Sequence, residues 1–162
     1  MAAKNQCTFG LRITGCVATL SAALALATAR QSVHFSDVNV SIQVGYSDLM
    51  CYMCLLVVNV IVCVYSFAIN LLPKKSLLWR SVVVIDAMLM VLLASSNSAA
   101  LSAICLERNG NFHAGWRGIC GLAPQYCDHI IGAIAASYLG FVIYMILLLL
   151  AINNLLNPLL VQ

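Results

Sequence analysis

Charge is what this chain has least of. Among 162 residues there are 8 Lys or Arg and 5 Asp or Glu, so charged side chains make up 8% of the sequence while apolar ones make up 63%. Ordinary soluble domains carry about 25% charged residues. A chain this poor in charge cannot cover itself with a solvated surface. Proline is missing from every long apolar run, which argues against the interrupted helices on which many transporters build a substrate site. Also lacking are a glycine-rich nucleotide loop, a metal-ligand cluster and a hydroxyl nucleophile beside a base. His34, His113 and His129 are scattered, with no pair four residues apart, so no metal site is expected. The small basic excess is spread over separate segments, so nucleic-acid binding is unsupported. Neither a cofactor nor a catalytic activity is expected.

What the chain does have is four apolar stretches, each long enough to cross a hydrocarbon core of about 30 Å. They are expected at about 9–29, 49–72, 77–104 and 130–152. The fold class that follows is all-α: residues 1–162 as one four-helix transmembrane bundle in contact with membrane lipid. The first stretch has early basic residues and an Ala-Thr-Ala before Arg30, as a cleaved secretory signal would. Its apolar run is longer than a signal core and Arg12 lies within it, so it is expected to be retained.

Orientation follows from the connections. With the N-terminus inside, Lys4, Arg12, Lys74, Lys75 and Arg80 fall on the cytosolic side, and Arg30, Arg108 and Arg117 on the outer side. The compact basic turn around Pro73-Lys74-Lys75 is of the kind that sets topology, so both termini are expected in the cytosol. Two outer loops then remain, at about 30–48 and 107–128. Asn39-Val40-Ser41 in the first is a glycosylation sequon.

The cysteines read differently by compartment. Cys120 and Cys127 lie in the second outer loop, where an oxidising environment favours a disulfide between them. Cys16, Cys63 and Cys105 fall within spans, where a small soft side chain serves packing. Cys7, near the cytosolic face, is a palmitoylation candidate. Cys51-Tyr52-Met53-Cys54 has redox spacing, but three-residue spacing on a helix is equally a packing pattern.

Two further patterns concern the spans. Gly132, Ala136 and Gly140 repeat every four residues and share one face, allowing a close helix contact within the bundle or between subunits. Asn59 and Asn97 are polar groups able to hydrogen-bond between helices. Asp86 is the sole acid inside a long apolar run, and Arg12 is its one basic counterpart. A charge at mid-span costs roughly 2.5–3.5 kcal/mol on insertion scales, so a partner is expected. In the expected topology both residues lie shortly past the cytosolic start of parallel helices. Their depths differ by roughly 3–9 Å at 1.5 Å per residue, and an intramembrane ion pair fixing helix neighbours is the expected arrangement.

An arginine early in the first span, an aspartate early in the third, and the loop Asn109-Gly-Asn-Phe-His-Ala-Gly-Trp-Arg-Gly-Ile-Cys120 followed by Tyr126-Cys127 resemble the Casparian strip membrane protein-like proteins of plants. Tyr46-Ser47-Asp48-Leu49, Tyr65-Ser66 and Ala135-Ala136-Ser137 extend the resemblance along the chain. It implies a plasma-membrane tetraspan, related to the MARVEL domain, that forms homo-oligomers or assembles with related family members into platforms. It further implies recruitment of secreted wall-modifying enzymes such as peroxidases. Asn111, Gly115 and Trp116, with the Cys120–Cys127 loop, are then the expected outer recognition surface. Residues 31–45 depart from the founding members in lacking their aromatic-rich signature, so the broader scaffold role is implied rather than a part in the Casparian strip itself. The alternative functions are a small four-span channel or transporter, and a quinone-linked thiol oxidoreductase using Cys51 and Cys54.

Overall fold

In a computed structural model of the chain, residues 2–35, 40–71 and 78–156 are described. Four long helices account for most of them: α1 (Ala2–Thr28), α2 (Met50–Leu71), α3 (Leu78–Asn109) and α4 (Pro124–Leu156). Each contains a segment long and apolar enough to cross a membrane: Thr8–Thr28, Met50–Leu71, Ser81–Asn109 and Pro124–Asn153. The helices run up and down, so the α1–α2 and α3–α4 connections share one end of the bundle, here termed the loop end.

At the far end of the bundle α1 begins at Ala2, ahead of the expected 9, and α4 runs to Leu156, past 152; at the loop end two boundaries differ from the sequence expectation. Helix α3 continues to Asn109 instead of ending near 104, and α4 begins at Pro124 instead of near 130. Proline suits the first turn of a helix, where its missing N–H leaves no intrahelical bond unmade. The α3 end is marked by Gly110 at φ 69°, whose N–H donates to the Leu106 carbonyl at 2.8 Å; glycine enters this left-handed cap without steric cost.

The first connection is also more ordered than a loop. Strands β1 (Arg30–Phe35) and β2 (Val40–Gly45) form an antiparallel hairpin with Arg30 opposite Gly45 and Phe35 opposite Val40. Val40, Ile42 and Val44 alternate with Ser41 and Gln43, the period of a strand. A short turn, Tyr46–Asp48, joins β2 to α2, fixed by the Gly45 N–H donating to Asp48 Oδ2 at 2.9 Å.

Helix α1 packs on α2 and α4, and α3 packs on the same two, which places α1 and α3 across a diagonal. The core has two apolar layers. One, toward the loop end, joins Leu26, Tyr52, Leu55, Ile104, Tyr126 and Ile130. The other joins Val62, Leu89, Leu93, Tyr144 and Leu147. Between them in sequence on their helices lie the buried polar residues Asn59, Asn97 and Ser137. The outward faces carry Val17, Leu24, Val64, Phe67, Met88, Val91 and Leu139, all well exposed. Such a ring of exposed hydrophobics suits contact with lipid rather than water.

Candidate functional site

The charges in the spans meet across the diagonal. Arg12 Nη2 donates to Asp86 Oδ2 at 2.6 Å and Nη1 to Oδ1 at 3.4 Å, a forked contact that matches the planar guanidinium to the carboxylate. Arg12 is 4% exposed and Asp86 2%, so the arginine does not reach back to an interface. Their depths agree closely: Arg12 lies four residues beyond Thr8 and Asp86 five beyond Ser81, the two span starts. The pair joins helices that are diagonal rather than adjacent, which differs from the sequence expectation that it fixes direct neighbours. Its position is supported from α2, where the Tyr65 hydroxyl donates to the Val82 carbonyl at 3.3 Å, one turn before Asp86.

Further polar contacts tie the other helices. Asn59 Nδ2 donates to Ser137 Oγ at 3.0 Å, and the Ser66 and Tyr144 hydroxyls are hydrogen-bonded to each other. Both contacts link α2 to α4. Asn97, also expected to bond between helices, is fully buried yet bonded to none of the described residues. The helix-period pattern placed it on the inward face; it could not place a partner opposite it.

The four-residue repeat on α4 divides. Gly140 is buried against α1, where an added Cβ would stand 2.9 Å from Thr19 Cγ2. Ala136 is half-buried, and Gly132 is exposed with open space beside it. Three residues eight positions apart in total drift around a 3.6-residue helix, so one end of the stripe turns inward and the other outward. The inward face is instead Ala133, Ser137, Gly140 and Tyr144. Gly140→Ala is therefore expected to destabilise the bundle by about 1 kcal/mol through overpacking, while Gly132→Ala, which meets open space, should leave the monomer no less stable. Thermal unfolding in detergent measures both, and equal shifts would refute this division.

At the loop end, Glu107 is the organising residue. Its carboxylate, 8% exposed, accepts the Tyr52 hydroxyl at 2.7 Å and the Tyr126 hydroxyl at 3.4 Å. Its backbone carbonyl accepts the Ile119 N–H at 2.7 Å and, more weakly, that of Cys120 at 3.4 Å. One residue thus joins α2, α3, α4 and the second loop. Sequence reasoning placed Glu107 in that loop and missed this role; the signal available was an acid beside the long apolar run of α3 and tyrosines at the starts of two other spans.

The second loop is folded tightly on this support. Asn111 and Trp116 exchange backbone hydrogen bonds of 3.0 and 2.9 Å, and Asn111 Oδ1 accepts from the His113 and Ala114 N–H groups. Gly115 completes the turn at φ 71°. Gly118 lies so close to α3 that a Cβ would stand 2.5 Å from the Arg108 carbonyl oxygen. Cys120 and Cys127 are disulfide-bonded, with Cα atoms 5.6 Å apart. The loop's backbone is therefore closed at several points while the Trp116 side chain remains 63% exposed. The hairpin is tied in as well, since Gln31 Oε1 accepts the Tyr126 N–H at 2.9 Å.

The remaining sequence candidates are dispersed. Cys51 is half-buried against the loop-end core and Cys54 is exposed on the outside of α2; both are free, and Cys120 and Cys127 are bonded to each other. His113 and His129 are exposed, and among the described residues no group of three or more His, Cys, Asp or Glu is placed to hold a metal. Asn39 lies outside the described residues, as does the Cys7 side chain.

Residues 2–143 match the model of the Casparian strip membrane protein domain. CASP-like protein 1C1 of Arabidopsis thaliana is 39% identical over 152 residues, covering 94% of this chain and 92% of its own length. CASP-like protein 1C2 of the same plant is 41% identical over the same shares, and CASP-like protein 1C2 of Vitis vinifera 38% identical over 90% of this chain and 91% of its own. No solved structure matches.

Proposed function

The chain belongs to the Casparian strip membrane protein family, and from that premise we propose that it is a plasma-membrane scaffold that self-associates and recruits wall-modifying proteins. In this reading the loop end faces outward, both termini lie in the cytosol, and no catalysis is involved. The observation that carries it is Trp116. A large aromatic side chain is held in the open by a loop whose backbone is closed through Asn111, Glu107, Gly118 and a disulfide. Presenting an ordered aromatic anchor lowers the entropy lost on binding a partner. The bundle beneath serves as its base, tied across its helices by Arg12–Asp86 and Asn59–Ser137.

Native mass spectrometry or chemical crosslinking in mild detergent tests self-association, and a strictly monomeric protein at membrane-like concentration would refute it. Trp116→Ala tests recruitment. The substitution removes no contact described in the core, so stability is expected to change by less than about 0.5 kcal/mol. Labelling of neighbouring secreted proteins by an enzyme inserted between β1 and β2 should fall several-fold in this variant; unchanged labelling would remove Trp116 from the recognition surface.

A further inference from the structure

Cys16 of α1 and Cys63 of α2 are both free thiols, and their Sγ atoms stand 3.0 Å apart. Cys16 Sγ also lies 3.6 Å from the Cys63 carbonyl oxygen. Neither helix reaches this contact by chance of a loose end. On its α4 side, α1 is wedged where a Cβ on Gly15 would stand 3.2 Å from Ile143, and where Thr19 fills the space above Gly140. Helix α2 is held to α4 by Asn59–Ser137 above Cys63 and by Ser66–Tyr144 below it. Two independently braced helices thus present their sulfurs to each other.

The separation discriminates between uses of a thiol pair. Two thiolates on one tetrahedral zinc, at Zn–S about 2.3 Å, stand about 3.8 Å apart, and the described residues supply no third ligand. A disulfide needs about 2.05 Å, so the sulfurs, at 3.0 Å, have about 1 Å left to travel.

We propose that Cys16 and Cys63 form a modification site, an oxidisable dithiol that closes to a disulfide between α1 and α2 when a lipid-soluble hydroperoxide reaches the bundle. Both side chains are half-buried, so a small apolar oxidant arriving through lipid has access to them. One sulfur attacks the peroxide, breaking its O–O bond and giving a sulfenic acid and an alcohol. The second sulfur then displaces the sulfenic oxygen, which leaves as water with the thiol proton. Each sulfur loses one electron, the hydroperoxide takes two, and the products are one disulfide, one alcohol and one water. Cys16 lies one helical turn from Arg12, so the bond staples α1 beside its ion pair.

The full chain, purified in mild detergent, would be treated with cumene hydroperoxide, denatured, alkylated, digested and analysed by mass spectrometry. The expected product is a peptide pair joined through Cys16 and Cys63, lighter by two hydrogens than the separate peptides. It should vanish on reduction and in Cys16→Ala and Cys63→Ala, and oxidation should raise the unfolding temperature of the parent protein only. A link already present before peroxide is first reduced and the reductant removed; its return on adding peroxide supports the proposal, and its return at the same rate without peroxide overturns it. The exposed Cys54 reports whether oxidant reached the protein. If Cys54 is oxidised while Cys16 and Cys63 are both recovered as free thiols, or are joined only to other cysteines, the proposal is overturned. The mapping in the parent protein decides the matter even if a variant fails to fold.

Discussion

Asp86→Ala should cost the bundle about 3–5 kcal/mol, the penalty for removing one partner of a buried ion pair. The guanidinium of Arg12 would be left 4% exposed and without its forked acceptor. Its escape routes are to drag α1 toward an interface or to admit water between the helices. Either disturbs the packing of Gly15 and Thr19 on α4. The expected phenotype is a strongly lowered unfolding temperature in size-exclusion assays and retention inside the cell. Asp86→Asn, which keeps the shape and one acceptor, should lose less. The double variant Arg12→Asp with Asp86→Arg restores opposite charges across the same diagonal and should recover part of the loss. Unchanged assembly and trafficking of Asp86→Ala would show that the pair contributes nothing to the bundle.

Glu107→Ala is the second large effect, expected at about 2–4 kcal/mol. Two tyrosine hydroxyls lose their acceptor in buried surroundings, and an unsatisfied buried hydroxyl costs about 1–3 kcal/mol. Most of the loss should come from Tyr52, whose contact is 2.7 Å, since that of Tyr126 is 3.4 Å. Glu107→Gln retains an acceptor oxygen and should be milder. A double-mutant cycle of Glu107→Ala with Tyr52→Phe isolates the interaction; a coupling below about 0.5 kcal/mol, the limit of ordinary additivity, would refute the role assigned to it. Amide exchange at Ile119 and Cys120 offers a second measurement, because their N–H groups depend on the Glu107 carbonyl and should exchange faster if the loop loosens.

These two residues differ in how visible they are without coordinates. Arg12 and Asp86 stand out because charge is so rare in the spans, and rarity narrows the choice of partner to one. The four spans are visible because a bilayer demands length and apolarity of every crossing segment. Glu107 is hidden among Arg108 and Asn109, in what reads as the beginning of a loop, and its partner Tyr52 lies 55 residues away inside a motif whose cysteines attract the eye. The hairpin has the alternation of a strand at Val40, Ile42 and Val44, but glycine and polar neighbours obscure it. Gly132 and Gly140 illustrate a different limit. Spacing states that residues share a helical face, and only packing determines which way that face is turned.

The diagonal placement of Arg12 and Asp86 bears on how the protein is made. The partners are 74 residues apart, and the rest of α1, the hairpin, α2 and the start of α3 are synthesised between them. Throughout that interval Arg12 belongs to a span whose counter-charge has not yet entered the membrane. On a lone helix so long a side chain can extend toward the headgroups. Only once the third span has been made can the guanidinium meet the carboxylate that accepts it in the folded bundle. The first helix, though made first, therefore has its full set of contacts only after the third span, which carries Asp86, and the fourth, on which it also packs, have been made.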